Sequence, residues 1–463
     1  KPLGNFNIEL DSSSKGMEDI LLNPWFIFFL AVTLWVTAMY ILYKKKALEG
    51  TPFALSGPFL LLKTERGRNF LDKLAKIKKF WKGYGDFSIA LCIFLMFTFL
   101  TILIWVATLV MNIPKERAPR PEMLLGIPGL NPVIPLWYGI LALIVAMVIH
   151  EFSHGILARV AKVKIESLGL VFFILPVGAF VEPNENQLKG MEKRKRSRLF
   201  AAGPASNIIV AVICSLIFTQ VFVANAEPKA LGNGIVNVVV DTPAANASFE
   251  PGMIITSINY EGVETVLDSP DAFSSVMEST EPNKEMTLTL FFEGRYRQKN
   301  LTLASREDNK SRGFLGVQTI YTGTGKRIYH PTFYPDSFEA TMYSLTIYVS
   351  LPIRRLSPID RPYTDFYEPG GDLANMPDSL FWVLANIFYW VFWLNLMLGL
   401  TNALPAIPLD GGYVFRDGLD TVLGRLKKDM KAEKREAIVK NVSYFLAFFI
   451  LALILWHVIA PQL

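Results

Sequence analysis

Six long apolar segments constrain this chain more than any other feature of its sequence. Each holds about twenty largely apolar residues in succession, which is the length that a helix needs to cross the hydrocarbon of a bilayer. They are residues 25–43, 87–111, 136–161, 199–223, 380–400 and 442–459. Hydrophobic residues make up 51% of the chain and charged residues 19%, which excludes a disordered protein. We expect a polytopic α-helical membrane protein of about six transmembrane helices.

The charged residues predict how these spans are oriented. Basic clusters follow the first, third and fifth segments, so the positive-inside rule makes those loops cytoplasmic. Both ends of the chain and the long segment 224–378 then lie outside. A net charge of only +5 excludes a typical nucleic-acid binder and favours contact with membrane lipids. The KRKR run at 193–196 is interpreted as an orientation and headgroup signal, with docking of an acidic substrate tail as the alternative.

The outer segment predicts a strand-rich domain at 224–325 and a connector at 326–378. Apolar or alternating runs at 234–240 and 286–292 indicate strands, and turn residues separate them. Two cysteines, Cys92 and Cys214, lie within apolar segments, and we expect buried thiols without a disulfide.

The third segment contains His150-Glu151-Phe152-Ser153-His154. Positions i and i+4 share one face of a helix, so both imidazoles can bind one metal ion. Glu151 lies beside them and can accept a proton from a metal-bound water. Ionisable residues within a bilayer span are costly and functional by default. The alternative is a buried polar network inside a helix bundle.

A catalytic zinc ion usually takes three protein ligands, and Asp410 is the best candidate for the third. It follows a break in the apolar pattern, where Pro405 and Pro408 cannot continue a helix and two glycines permit a sharp turn. Irregular backbone at membrane depth survives only when it is buried in protein or lines a cavity. We therefore expect this segment beside the metal; the alternative is an exposed aspartate at a helix end.

Residues 150–155 and 402–412 closely resemble the motifs of the site-2 protease family, which are intramembrane zinc metalloproteases, and the chain as a whole is similar to archaeal members. The resemblance implies one zinc ion per chain and cleavage within the membrane. Because His150 lies about twelve residues, or roughly 18 Å, from the cytoplasmic end of the third span, we expect cleavage in the cytoplasmic half. The resemblance also implies a transmembrane protein substrate already shortened by another protease. By the same resemblance the functional residues are the zinc ligands His150, His154 and Asp410, the catalytic base Glu151, and Asn402 at the substrate backbone or the oxyanion.

Residues 165–183 are apolar, interrupted by Gly and Pro, and resemble the family's re-entrant β-hairpin. An edge strand near zinc can pair with an unwound substrate, whereas a purely packing hairpin is the alternative. The substrate-binding residues expected there are Gly169, Leu170, Val171, Phe172 and Phe173. Small residues at 201–206 predict close helix packing, with a direct catalytic role for Asn207 as the alternative.

The outer domain resembles a PDZ domain, a mixed α/β fold that can bind a peptide C-terminus. The residues expected to bind it are Gly232, Asn233, Gly234 and Ile235. A purely steric gate is the alternative role for this domain.

The predicted organisation has five parts: 1–135 with two spans and a basic cytoplasmic loop, 136–223 as the first part of the catalytic core, the PDZ-like domain at 224–325, the connector at 326–378, and 379–463 as the second part of the core. The predicted function is that of a zinc metalloendopeptidase of the cell membrane. The rival hypothesis is a non-enzymatic metal-binding transporter or scaffold with a peptide-binding outer domain. That rival does not account for a glutamate between two histidines at metal-binding spacing.

Overall fold

A computed structural model describes residues 24–64, 66–113, 115, 121–124, 126–305, 310–330, 337–353 and 360–462. They form two compact units, one from the described residues of 1–120, 140–209 and 394–463, the other from those of 121–139 and 210–393. Among the described residues, six helices are long and apolar enough to cross a membrane, which confirms the predicted number of spans. The chain is a multi-pass membrane protein. Cys92 and Cys214 are buried free thiols, as expected.

The first half of the chain alternates long helices with short strands. Its elements are α1 (Pro24–Lys44), β1 (Phe53–Ser56), β2 (Phe59–Thr64), α2 (Arg66–Leu74), α3 (Lys78–Leu109), α4 (Leu136–Val160), β3 (Ile165–Phe173), β4 (Leu175–Pro183), α5 (Glu185–Lys189) and α6 (Lys193–Ile217), which continues as a π-helical turn (Phe218–Val223). Helix α3 begins nine residues before its apolar core. The flanking lysines are good helix formers, so the helix extends past the hydrophobic segment.

Strands β1 to β4 form one antiparallel sheet in that order. The β1–β2 turn contains Gly57 in a left-handed conformation (φ 59°), and Ile174 has φ 63° between β3 and β4. Trp35 of α1 donates a hydrogen bond from Nε1 to the Pro58 carbonyl at 2.8 Å and packs edge-on against Phe173. The sheet and the first span therefore meet at the tips of the two hairpins.

The part of the chain that holds the strand-rich domain and the connector follows the fourth span. Its elements are β5 (Ala226–Pro228), β6 (Asn233–Val238), α7 (Pro243–Asn246), β7 (Ile254–Tyr260), β8 (Val263–Val266), α8 (Ala272–Glu278), β9 (Glu285–Phe292), β10 (Arg295–Thr302), β11 (Ala304–Ser305), β12 (Gly313–Phe314), β13 (Val317–Tyr321), α9 (Thr322–Gly325), α10 (Phe338–Ser350), α11 (Tyr363–Phe366) and β14 (Tyr367–Pro369). The main sheet has the order β10-β9-β7-β6-β13, and β8 pairs with β7. Alternating residues of β9, such as Met286, Leu288 and Leu290, fill its buried core.

Three helices complete the chain: α12 (Asp378–Asn402), α13 (Asp410–Leu426) and α14 (Ala432–Ile459). Helix α12 ends at Asn402, and an irregular turn covers the two prolines at 405 and 408, as their sequence predicts. Helix α14 begins ten residues before the predicted span, because the preceding Ala, Glu, Lys and Arg residues favour a helix.

Candidate active site

Helix α4 presents the two histidines of the HEFSH sequence on one face, as their spacing requires. The imidazole centroids of His150 and His154 are 4.7 Å apart, with the rings nearly perpendicular at 81°. His150 is buried, being 5% exposed. An apolar helix thereby directs two imidazole nitrogens toward one point beside it, which is the arrangement that a metal ion requires.

Asp410 meets both histidines. Its Oδ2 lies 2.9 Å from His150 Nε2 and 3.2 Å from His154 Nε2. Asp410 is the first residue of α13, where the positive end of the helix dipole favours a carboxylate. A Cβ on Gly411 would lie 2.1 Å from the Ala403 carbonyl oxygen, so only glycine permits this tight turn.

The three side chains fit zinc. A tetrahedral ion with bonds of about 2.0–2.1 Å holds its ligand atoms about 3.3 Å apart, close to the separations between Asp410 Oδ2 and the two imidazole nitrogens. His154 Nδ1 lies 2.8 Å from the Leu199 carbonyl oxygen, which can only accept, so Nδ1 carries the hydrogen and Nε2 keeps its lone pair. Among the described residues this is the one group of three or more acidic, histidine or cysteine side chains so placed.

Gly203 of α6 closes the site on the side facing the imidazoles. A Cβ at this position would lie 2.5 Å from His154 Nε2 and 2.7 Å from His150 Nε2. The small residues at 201–206 therefore allow the helix packing that the sequence predicts, and Gly203 also borders the proposed ligand atoms. Asn207, one turn further along α6, is buried, and its side-chain amide has no hydrogen-bond partner among the described residues.

Glu151 connects the catalytic helix to the hairpin. Its Oε2 accepts a hydrogen bond from the backbone N–H of Val181 in β4 at 3.1 Å. One turn earlier on the same face of α4, the tip of Met147 lies 2.7 Å from where a Cβ on Gly178 would stand. Strand β4 thus runs along the face of α4 that carries Glu151.

The pairing of strands in this sheet determines which strand has a free edge for a substrate. The hairpin predicted at 165–183 is present, but β3 is paired on both sides, with β2 (Leu62↔Leu170) and with β4 (Leu170↔Ala179). Gly169, Leu170, Val171 and Phe172 therefore have no free strand edge, whereas Phe173 pairs with β4 alone. Of the two edge strands, β1 and β4, it is β4 that contacts Glu151.

The residues predicted to bind a peptide C-terminus in the strand-rich domain lie at the start of β6. Strand β6 pairs with β7 through Gly234↔Ile254 and with β13 through Gly234↔Ile320. Asn233, Gly234 and Ile235 therefore leave no free edge for strand addition, because both sides of this part of β6 are occupied, and Gly232 lies just before the strand. Among the described strands of this sheet, β8, β10 and β13 are each paired on one side only.

Asn402, predicted to lie at the substrate backbone or the oxyanion, is the last residue of α12. Its Nδ2 donates to the Leu398 carbonyl of its own helix at 3.1 Å. Sequence reasoning also missed three contributors, namely the Leu199 carbonyl, the Val181 N–H and the position of Gly203 against both imidazoles. Two of these are backbone groups, which leave no residue-type signal in a sequence.

Comparisons with known proteins agree with this geometry. The model of peptidase family M50 matches residues 138–450. An uncharacterized protein of Methanocaldococcus jannaschii is 26% identical over 414 residues, covering 87% of this chain and 88% of that protein. Zinc metalloprotease RasP of Oceanobacillus iheyensis is 23% identical and regulator of sigma-W protease RasP of Bacillus subtilis is 24% identical. Each RasP alignment covers 60% of this chain and 62% of the relative.

Proposed function

The chain belongs to peptidase family M50, the family of site-2 proteases, and we propose that it hydrolyses peptide bonds within transmembrane segments of membrane-anchored proteins. It is a zinc metalloendopeptidase of the membrane. One observation supports cleavage within the membrane. His150, His154 and Asp410 converge, and the two histidines and Glu151 belong to a helix that can span a bilayer.

His150, His154 and Asp410 would hold the zinc ion. Their donor set, two imidazoles and one carboxylate, is one that catalytic zinc takes, and the buried carboxylate needs a positive partner. When bound, zinc supplies Lewis-acid chemistry, since it lowers the pKa of water toward neutrality and polarises a carbonyl.

Glu151 is the proposed general base. In this mechanism its carboxylate takes the proton of the attacking water and returns it to the amine that leaves when the peptide bond breaks. The hydrogen bond from Val181 holds the carboxylate on the side of the helix where β4 runs. A role for Asn402 at the oxyanion would require its amide to release the Leu398 carbonyl.

The substrate would bind as an additional strand on β4. Because the N–H of Val181 points to α4, the N–H two residues earlier, at Ala179, also faces away from β3. A helical substrate hides its amides, so an unwound segment paired with this edge would expose the scissile carbonyl near Glu151. The hairpin would lie within the membrane, since it packs on α4 at the level of Met147 and Glu151.

The proposed orientation keeps the basic loops in the cytoplasm and the strand-rich domain outside. His150 lies ten residues before the end of α4 at Val160, or about 15 Å along the helix. In the proposed orientation, cleavage would therefore occur inside the membrane about this far from its cytoplasmic surface. The strand-rich domain would act as a PDZ-like filter for substrates shortened by another protease. A peptide held there by strand addition would use β8, β10 or β13, whereas a steric role needs none of these edges.

The test is cleavage of a single-span substrate by the purified full chain in detergent, with zinc content measured in parallel. Glu151→Gln should retain one zinc ion and lose turnover, whereas His154→Ala should lose both. If the wild type binds zinc and cleaves but Glu151→Gln cleaves equally well, the assignment of the base is wrong. If the wild type binds no zinc under metal-replete conditions, the ligand assignment is wrong.

The β4 edge has its own test. Ala179→Pro removes one outward N–H, and Ala179→Gly keeps it at the same position. We expect the proline variant to raise KM while zinc binding stays unchanged, and the glycine variant to resemble the wild type. Equal cleavage by both variants would contradict substrate pairing with β4.

A further inference from the structure

The KRKR run at the start of α6 is engaged in ion pairs instead of being left to face lipid. Lys195 pairs with Glu192, and Arg194 pairs with Asp86 of α3 at 3.0 Å. The other two members reach a different helix. Arg196 bonds Asp417 and Lys193 bonds Asp420, and both of these carboxylates belong to α13, the helix that begins with Asp410.

The pair between Arg196 and Asp417 is buried and bidentate. Arg196 Nε donates to Asp417 Oδ2 at 2.8 Å, and Nη2 donates to Oδ1 at 2.5 Å. The side chain of Asp417 is 3% exposed and that of Arg196 is 15% exposed. The fork geometry fixes both distance and angle between the two helices, which a single lysine contact does not do.

The spacing along both helices links this pair to the metal-binding group. Arg196 and Gly203 are seven residues apart on α6, and Asp417 and Asp410 are seven residues apart on α13. Seven residues make nearly two full turns, so each helix presents both of its positions on almost the same face. Arg196 and Asp417 form the ion pair. Gly203 and Asp410 both contact the imidazoles of His150 and His154.

We propose that Arg196 and Asp417 are positioning residues for zinc, because they fix α13 against α6 and thereby place the Asp410 carboxylate at the two histidines. This inference rests on the proposed ligand assignment. Asp417 lies about 10.5 Å along the helix from Asp410. A tilt of about 10° at the ion pair would move the Asp410 carboxylate by about 1.8 Å, which is more than half of the ligand separation described above.

The neighbouring pairs support the same contact. Asp420, one turn beyond Asp417, also bonds Arg435 of α14 at 2.6 Å. Burial opposes ionisation of Asp420, but the hydrogen bonds and charges of Lys193 and Arg435 lower the pKa of its carboxyl. A cavity of about 480 Å³ borders Asp417, Asp420 and Arg435, so substituted side chains at this surface have room to relax.

The test compares zinc affinity, kinetics and stability in the full chain. Asp417→Asn removes the charge at constant size, Arg196→Lys keeps the charge and loses the fork, and Arg194→Met is the matched control from the same helical turn. Zinc affinity is measured by competition with a chelating dye. Mutating a residue that hydrogen-bonds a metal ligand lowers metal affinity or activity by about 10–100-fold. The Arg196–Asp417 pair is more distant, so we expect Asp417→Asn to weaken zinc affinity and lower kcat by about tenfold, with KM nearly unchanged.

The double variant R196M/D417L separates positioning from stability. Replacing a buried ion pair by apolar residues is often neutral for stability, so the thermal unfolding temperature should recover. Zinc affinity should not recover, because the fork that fixes the helix is absent. If zinc affinity returns with stability, or if Asp417→Asn binds zinc like the wild type, the positioning role is refuted. A wild type that binds no zinc would instead refute the proposed ligand assignment.

Discussion

Gly203→Ala tests how closely α6 must approach the histidines. The added methyl carbon would lie 2.5 Å from His154 Nε2 and 2.7 Å from His150 Nε2, whereas ordinary contact begins at 3.4 Å. The helix or the imidazoles must therefore move by 0.7–0.9 Å. Misplacement of about 1 Å at a reacting centre costs about 100-fold in rate, or about 2.7 kcal/mol of barrier. We expect a loss of this size in kcat and a weaker zinc affinity.

Gly418→Ala is the matched control. Gly418 also lies inside a helix, α13, and a Cβ there would meet no atom within 4 Å. Both substitutions gain about 1 kcal/mol of helix propensity, so the control isolates the steric effect on the site. Cleavage of a single-span substrate and dye-competition zinc binding provide the measurements. A Gly203→Ala protein whose kcat and zinc affinity stay within threefold of Gly418→Ala would refute the reasoning.

Three further predictions follow from contacts described above. In Gly169→Ala the methyl carbon would lie 1.8 Å from the Leu62 carbonyl oxygen, so β2 should detach from β3 and hydrogen exchange at β2 amides should rise. Gly178→Ala should be mild, with kcat within about threefold of the wild type, because the added carbon meets only the flexible end of Met147. Asp420 has a depressed pKa, so its ion pairs stabilise the fold above the unfolded value of 3.8, and this stabilisation is lost as pH falls through the lower folded pKa. The difference in thermal unfolding temperature between wild type and Asp420→Asn should therefore be present at pH 6 and shrink toward pH 2.

The site residues that are easiest to predict from the sequence are the ionisable ones that interrupt apolar segments. Two histidines four residues apart fix their own geometry through the helical repeat, and the structure places them on one face of α4. Asp410 is visible because Pro405 and Pro408 interrupt an apolar segment just before it and two glycines follow it. In both cases the signal is local, so a single sequence is sufficient to predict it.

Register and long-range pairing are not local. The first strand of the hairpin looks suitable for a substrate until β2 is found beside it. Strands β1 and β2 lie in the loop that the sequence predicts only as basic and cytoplasmic, around the run FALSGPFLLL. Its Gly57-Pro58 turn between apolar runs is a usable hairpin signal. The pairing of Arg196 with Asp417 joins residues 221 positions apart, and nothing in the residue types selects that partner from the other carboxylates.

The free edge of β4 also has a mechanical consequence for any transmembrane helix that pairs with it. A residue advances about 1.5 Å along a helix and about 3.3 Å along a strand. Converting five residues from helix to strand therefore lengthens that stretch by about 9 Å. The rest of the substrate must slide or tilt to accommodate the added length. A helix held at both bilayer surfaces by folded domains resists that movement. One whose outer domain has been removed can shift its end into the membrane, so prior trimming would act on the substrate's freedom to extend, independently of any recognition of its sequence.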